Sequence, residues 1–229
     1  MRRSIAAVAA LLALGSAPAA AALLGPTPYL SQADSPFNPA SFANFYLEDF
    51  EDAALNTPGL SVNPANACIT GDGGGCPFIG SIDSVGNGGN PALGHSLFGS
   101  NFEILFNAAA LGGKLPTAAG VVWTDGGNPI RFEAFDQNNV SLGVLMGDHA
   151  DGSFSGTTAE DRFYGATNAG GISRLLISNP GATEIDHIQY GIAAAVGVVP
   201  EPASWALMLG GIGLAGAALR VRRRPAAIA

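Results

Sequence analysis

The sequence predicts an all-β protein: an antiparallel β-sandwich of jelly-roll-like form, flanked by an N-terminal signal helix and a C-terminal transmembrane helix. Three observations lead there. Short apolar or alternating runs recur from Phe45 to Gly191, separated by clusters of Gly, Asn, Asp and Pro. No stretch of that region keeps a long helical period, since Ala108-Ala109-Ala110-Leu111 is short and is stopped by Gly112-Gly113. The apolar stretches that do suit helices lie at the two ends of the chain.

The N-terminal end has the layout of a secretory signal. Arg2 and Arg3 give a positive start, Ile5 to Leu14 an apolar run, and Ala17 to Ala22 a stretch of small residues. This assigns residues 1–22 to a signal peptide read by the secretion translocon, with cleavage after Ala20 or after Ala22 fitting equally well. Residues 23–44 are rich in proline and polar side chains and read as an irregular lead-in.

The sandwich is expected over residues 45–192. Its candidate strands are 45–50, 78–82, 102–106, 120–123, 129–136, 140–145, 162–166, 172–178 and 184–191. The clearest hairpin joins 130–135 to 140–145 through Gln137-Asn138-Asn139. There Ile130, Phe132 and Ala134 alternate with Arg131 and Glu133, the period-two pattern of a sheet with one wet face. A second pairing is expected between 172–178 and 184–191, because Pro180-Gly181 signals a turn. The glycine-rich stretch 71–94 reads as a surface loop.

Cys68 and Cys76 flank four glycines within seven residues. In an oxidising compartment the two are expected to form a disulfide, and the glycines let the chain turn back between them. Closing so short a loop stabilises the fold by ~2–3 kcal/mol in the chain-entropy account.

Charge excludes one class of partner. Residues 23–199 hold 17 of the chain's 18 acidic residues and only four basic ones, Lys114, Arg131, Arg162 and Arg174, a formal balance of −13. Such a surface repels nucleic acid. No HExxH motif, GxSxG elbow or glycine-rich nucleotide loop is present. His95, His149 and His187 are well separated, and Glu48 and Glu51 read as a charged edge, so no enzyme is expected. Gly147-Asp148-His149-Ala150-Asp151-Gly152 lacks the alternate ligands and distal glutamate of an EF-hand and reads as an exposed loop. Trp123, Phe135, Tyr164 and Tyr190 read as core residues in preference to a sugar-stacking platform.

Residues 193–199 form a linker to the C-terminal end. There Pro200-Glu201-Pro202 precedes an uncharged run at 203–219, followed by Arg220, Arg222, Arg223 and Arg224. As a helix the run spans roughly 26 Å at ~1.5 Å per residue, just short of a ~30 Å hydrocarbon core. Gly210, Gly211, Gly213 and Gly216 make it a marginal span. The arginines favour the cytoplasmic side, which leaves everything before Pro200 outside. The prolines keep Glu201 in an extended segment above the membrane.

This order of triplet, apolar segment and basic end at 200–224, with a tail at 225–229, resembles the PEP-CTERM sorting signal. The resemblance implies processing by an exosortase, with Pro200, Glu201, Pro202, Arg222, Arg223 and Arg224 as the sorting determinants. It implies an exported protein, anchored in the inner membrane with its ectodomain in the periplasm and then released to the cell surface or beyond. It further implies a non-catalytic surface or matrix role beside exopolysaccharide. The ectodomain from Leu47-Glu48-Asp49-Phe50-Glu51-Asp52 through Ile185-Asp186-His187-Ile188-Gln189-Tyr190-Gly191 resembles the jelly-roll ectodomains of PEP-CTERM proteins, and its last strand resembles that of carbohydrate-binding sandwiches, in some of which an acidic residue of the first strand and one of the last bind calcium. The matching ligands here are Glu51 and Asp186. A calcium-stabilised glycan-binding module is therefore the alternative reading, and a secreted hydrolase the third.

Overall fold

The computed structural model describes residues 21–64, 67–70, 76, 94–152, 160–194 and 202–222. The chain divides into two units, residues 1–194 and 195–229. Within the first, the strands run in order β1 (Ala22–Pro28), β2 (Phe42–Glu48), β3 (Leu60–Asn63), β4 (Cys68–Ile69), β5 (Leu97–Gly99), β6 (Phe102–Phe106), β7 (Ala118–Gly126), β8 (Ile130–Asp136), β9 (Ser141–Gly147), β10 (Arg162–Thr167), β11 (Ile172–Ser178) and β12 (Thr183–Ala193).

They form two antiparallel sheets, as expected for a sandwich. One has the order β3-β6-β11-β8-β9. The other runs β1-β10-β7-β12-β5-β4, with β2 also paired to β12. β5 pairs with Thr183–Ile185 of β12, while β2 pairs with its later residues, from Ile188 to Ala193.

Alternation in sequence becomes two-sided burial. Ile130, Phe132 and Ala134 of β8 are fully buried between the sheets, and Arg131 and Glu133 pair on the other face. Phe102, Ile104 and Phe106 of β6 do the same across from Val121 and Trp123 of β7 and Tyr164 of β10. Apolar burial is the main source of such a fold's stability, roughly 25 cal/mol per Å². β12 breaks the period: Ile185 and Ile188, three residues apart, both enter the core. A bulge between Asp186 and Gln189 absorbs the extra residue, with His187 at φ 44.

A second apolar layer covers the other face of the seven-stranded sheet. Tyr29, Phe37, Ala118, Val122 and Phe163 are buried there, with Leu24, Phe42 and Phe45 packed against them. The Phe163 ring lies over β7, so a Cβ on Gly120 would come within 2.2 Å of it; only glycine fits that position.

That layer corrects the reading of residues 23–44 as irregular. Ala22–Pro28 is an edge strand paired to β10, and β2 starts already at Phe42. Between them Ser31 and Asp34 form a capping box. Ser35 Oγ donates to Gln189 Oε1, and Gln189 Nε2 donates to the Tyr29 hydroxyl. The segment is thus a strap tied to β12. Of the two expected cleavage sites, the one after Ala20 would leave β1 whole, whereas the one after Ala22 would remove its first pair, Ala22 with Thr167.

The expected pairing of 172–178 with 184–191 is also corrected. β11 lies in the five-stranded sheet and β12 in the seven-stranded one, so the Pro180-Gly181 turn crosses between sheets. Asn179 holds that crossing: its Oδ1 accepts from Trp123 Nε1 and Thr183 Oγ1, and its Nδ2 donates to the carbonyls of Pro180 and Ala182. The hairpin of β8 and β9 forms as expected, in the register Ile130 to Gly147. The short strands β3, β4 and β5 carried too little pattern to be read. The expected strand at 78–82 and most of the expected loop 71–94 lie outside the described residues, as do residues 1–20 of the expected signal peptide.

Cys68 and Cys76 are joined in a disulfide with Cα atoms 5.1 Å apart. In the second unit, α1 covers Pro202–Arg222, with proline where a helix tolerates its missing N–H. Among the described residues no helix is long and apolar enough to cross a membrane.

Candidate functional site

The sorting residues predicted from sequence are only partly described. Pro202 opens α1 and Arg222 closes it. Pro200, Glu201, Arg223 and Arg224 lie outside the described residues. Over 207–220 the helix carries Leu207, Met208, Leu209, Ile212, Leu214 and Leu219 with all of these side chains exposed and no acidic residue. A helix that is apolar all round requires an apolar partner or a bilayer.

The calcium candidates Glu51 and Asp186 meet different partners. Asp186 is fully buried at the β12 bulge, where its Oδ1 accepts from the His187 backbone N–H at 2.6 Å and its Oδ2 lies 2.9 Å from His187 Nδ1. Glu51 accepts from the His95 backbone N–H at 3.2 Å. His187 packs on Tyr29, ring centroids 5.5 Å apart. Burial lowers its pKa, against the upward pull of Asp49, Glu51 and Asp161. Acidic residues just after β2, just before β10 and at the β12 bulge thus act on one buried histidine. Among the described residues no three His, Cys, Asp or Glu side chains converge closely enough to hold a metal ion.

Glu48 is not the charged edge that the sequence suggested. It is 3 % exposed. Its two carboxylate oxygens accept from the backbone N–H groups of Phe50, Asn56 and Thr57 and from the Thr57 hydroxyl. Those bonds fix the loop after β2, which fully occupies the carboxylate as a structural acceptor. Ser96 Oγ is buried, donates to Glu184 and contacts Thr70.

Three of the four aromatic residues settle as core, whereas Phe135 is half-buried on the outer face of β8. Trp123, Tyr164 and Tyr190 are fully buried, and Phe135 lies under the Arg174 guanidinium, 3.5 Å from the ring centroid.

A further cluster escaped sequence reading. It lies where β7 ends, β10 begins and the 147–152 loop leaves β9. Trp123 pairs with Arg162 in the β7–β10 ladder, so the chain just before β10 runs beside the end of β7, bringing Glu160 towards Asp125. Both acids are buried. Glu160 Oε2 accepts from the Asp151 backbone N–H at 2.8 Å. His149 Nε2 meets the Tyr164 hydroxyl at 2.7 Å, and the histidine ring packs edge-on to Trp123. Burial raises Asp125 to about 6 against the Gly126 N–H, and Asp151 adds to the rise. Burial raises Glu160 to about 7; the Asp151 N–H opposes this, while the charges of Asp125 and Asp151 reinforce it and Arg162 offsets it in part. Burial, with Arg162, lowers His149 to about 4. No local motif marks this arrangement, since Asp125 and Glu160 are 35 positions apart in sequence.

The cluster has a pH signature. A carboxyl whose folded pKa is raised contributes stability while protonated and loses it as pH rises towards the folded value. For Glu160 that window runs from 4.5, its unperturbed value, to about 7. Glu160→Gln keeps an acceptor for Asp151 and removes the buried charge. It should match the parent in urea unfolding at pH 4 and exceed it by ~1–2 kcal/mol at pH 8. His149 titrates in both proteins and cancels in the difference. Equal differences at the two pH values would contradict the placement of Glu160.

In comparison with known families, residues 198–224 match the PEP-CTERM protein-sorting motif. The motif identifies the chain as an exported exosortase substrate. The comparison finds no match among curated proteins and none among solved structures.

Proposed function

We propose that this chain is a non-catalytic surface or matrix protein that an exosortase releases from the inner membrane to work beside exopolysaccharide. The observation that carries the reading is the sorting motif at 198–224, placed after a disulfide-closed β-sandwich. In this account the leader at 1–22 delivers the body to the periplasm through the translocon. The apolar run 203–219 then holds the precursor in the membrane with Arg220, Arg222, Arg223 and Arg224 on the cytoplasmic side. The run is short and glycine-rich, which suits an anchor that is later removed. The acidic body would repel anionic polymers, so the polysaccharide partner is a neutral one.

Co-sedimentation tests this role. The mature protein should pellet with exopolysaccharide from the producing strain and stay in the supernatant of a strain unable to make the polymer. A protein that stays soluble in both strains contradicts the matrix role while leaving the sorting account intact.

A further inference from the structure

We propose that the outer face of the five-stranded sheet binds a neutral polysaccharide, an inference that rests on the exopolysaccharide reading above and gives it a place on the protein. The outer face of the seven-stranded sheet is covered by Tyr29, Phe37 and their neighbours. Among the described residues the five-stranded sheet has no such layer, and Val144 and Met146 stand exposed on its β9 side. The ladder registers put Glu103, Leu176 and Glu133 in one row across β6, β11 and β8, and Leu105, Arg174 and Phe135 in the next. Arg131 lies two positions from Glu133 on the same face of β8. Neighbouring strands are ~4.8 Å apart, so five of them offer a face roughly 19 Å wide, room for several sugar units of an extended polymer.

Charge selects the partner. The outward strand positions of this face carry two arginines and two glutamates, and they pair within the face, Arg131 with Glu133 and Arg174 with Glu103. Two of the four basic residues between 23 and 199 thus stand on a neutral face of a strongly acidic body. That body repels an anionic polymer, and a second copy seated on this face would bring two acidic bodies together. An uncharged polymer meets neither cost. The side chains also suit sugar chemistry. The Arg174 guanidinium sits over the Phe135 ring, while its Nε donates to Asn139 Oδ1 and its Nη1 to Glu103 Oε1. These contacts fix a planar donor fork before any ligand arrives, so little side-chain freedom is lost on binding. Each carboxylate keeps lone pairs beyond those its arginine uses and can accept from hydroxyls. Half-buried Leu105 and Leu176 between them offer apolar area to the C–H faces of sugar rings.

The test is co-sedimentation of the mature protein with purified exopolysaccharide of the producing strain at rising polymer concentration. Arg174→Ala and Phe135→Ala should each raise the half-saturating polymer concentration about fivefold or more, and Arg131→Ala combined with Arg174→Ala further still. Arg174→Lys should weaken binding almost as much, because lysine keeps the charge and loses the fork. Lys114→Ala removes one positive charge outside this face and should bind like the parent. All these side chains lie on the surface, and urea unfolding checks that the variants keep the parent's midpoint. Binding should persist when salt is raised tenfold; binding that collapses with salt marks an anionic polymer and overturns the neutral assignment. Face variants that pellet as a pelleting parent does overturn this site and leave the exopolysaccharide reading intact, whereas a parent that stays soluble overturns both. A parent that is dimeric without polymer and becomes monomeric in the double arginine variant gives the face to a second copy and overturns the proposal as well.

Discussion

Replacing Trp123 by alanine should leave little folded ectodomain. The indole is fully buried between the sheets, and its Nε1 donates to Asn179 Oδ1 at 3.0 Å. Removing it opens a cavity that costs ~3–5 kcal/mol, and it strips a partner from the residue that fixes the crossing from β11 to β12. A domain of this kind has ~5–15 kcal/mol of stability in total, so the loss takes a large share of it. Urea unfolding of Trp123→Ala should show a strongly lowered midpoint, or no transition at all. Val144→Ala on the exposed side of β9 should stay close to the parent. Similar midpoints for the two variants would mean that Trp123 does not sit in a packed core.

Replacing Glu201 by alanine should block maturation without disturbing insertion. The exchange leaves the apolar run 203–219, its length and its arginines unchanged, so the precursor should still reach the membrane with the same topology. What changes is the acidic centre of Pro200-Glu201-Pro202. Uncut protein is therefore expected to accumulate in the membrane fraction of a host that carries an exosortase. Exchanging Arg222, Arg223 and Arg224 together should act differently, by loosening retention and orientation. A Glu201→Ala chain that matures with the parent's C-terminus and yield would reduce the triplet to a bystander and the tail to a plain anchor.

The parts of this protein that could be read from sequence are those whose pattern is local. The β8–β9 hairpin was legible because Ile130, Phe132 and Ala134 alternate without interruption and the turn at 137–139 is polar. β6 and β11 were bounded correctly for the same reason. β1 was not, because Gly25-Pro26 interrupts its pattern and its partner β10 lies some 140 residues away in sequence. The Pro180-Gly181 turn announced a reversal of the chain but held no information on which sheet receives the next strand. That choice is made by Asn179 and by the bulge at His187. Glu48 looked like an edge charge because its acceptor role depends on a loop that returns to it at Asn56 and Thr57. The Asp125–Glu160 cluster was invisible for the opposite reason to the sorting tail. The tail is a linear signal, read from consecutive residues, while the cluster exists only once β7 and β10 have paired.

The intact mass of the protein secreted by a host carrying an exosortase tests the central claim most directly. The account predicts a chain that begins at Ala21 or Leu23, keeps the Cys68–Cys76 disulfide and lacks both the apolar helix and the arginine cluster. A secreted chain whose mass retains every residue through Ala229 would contradict it.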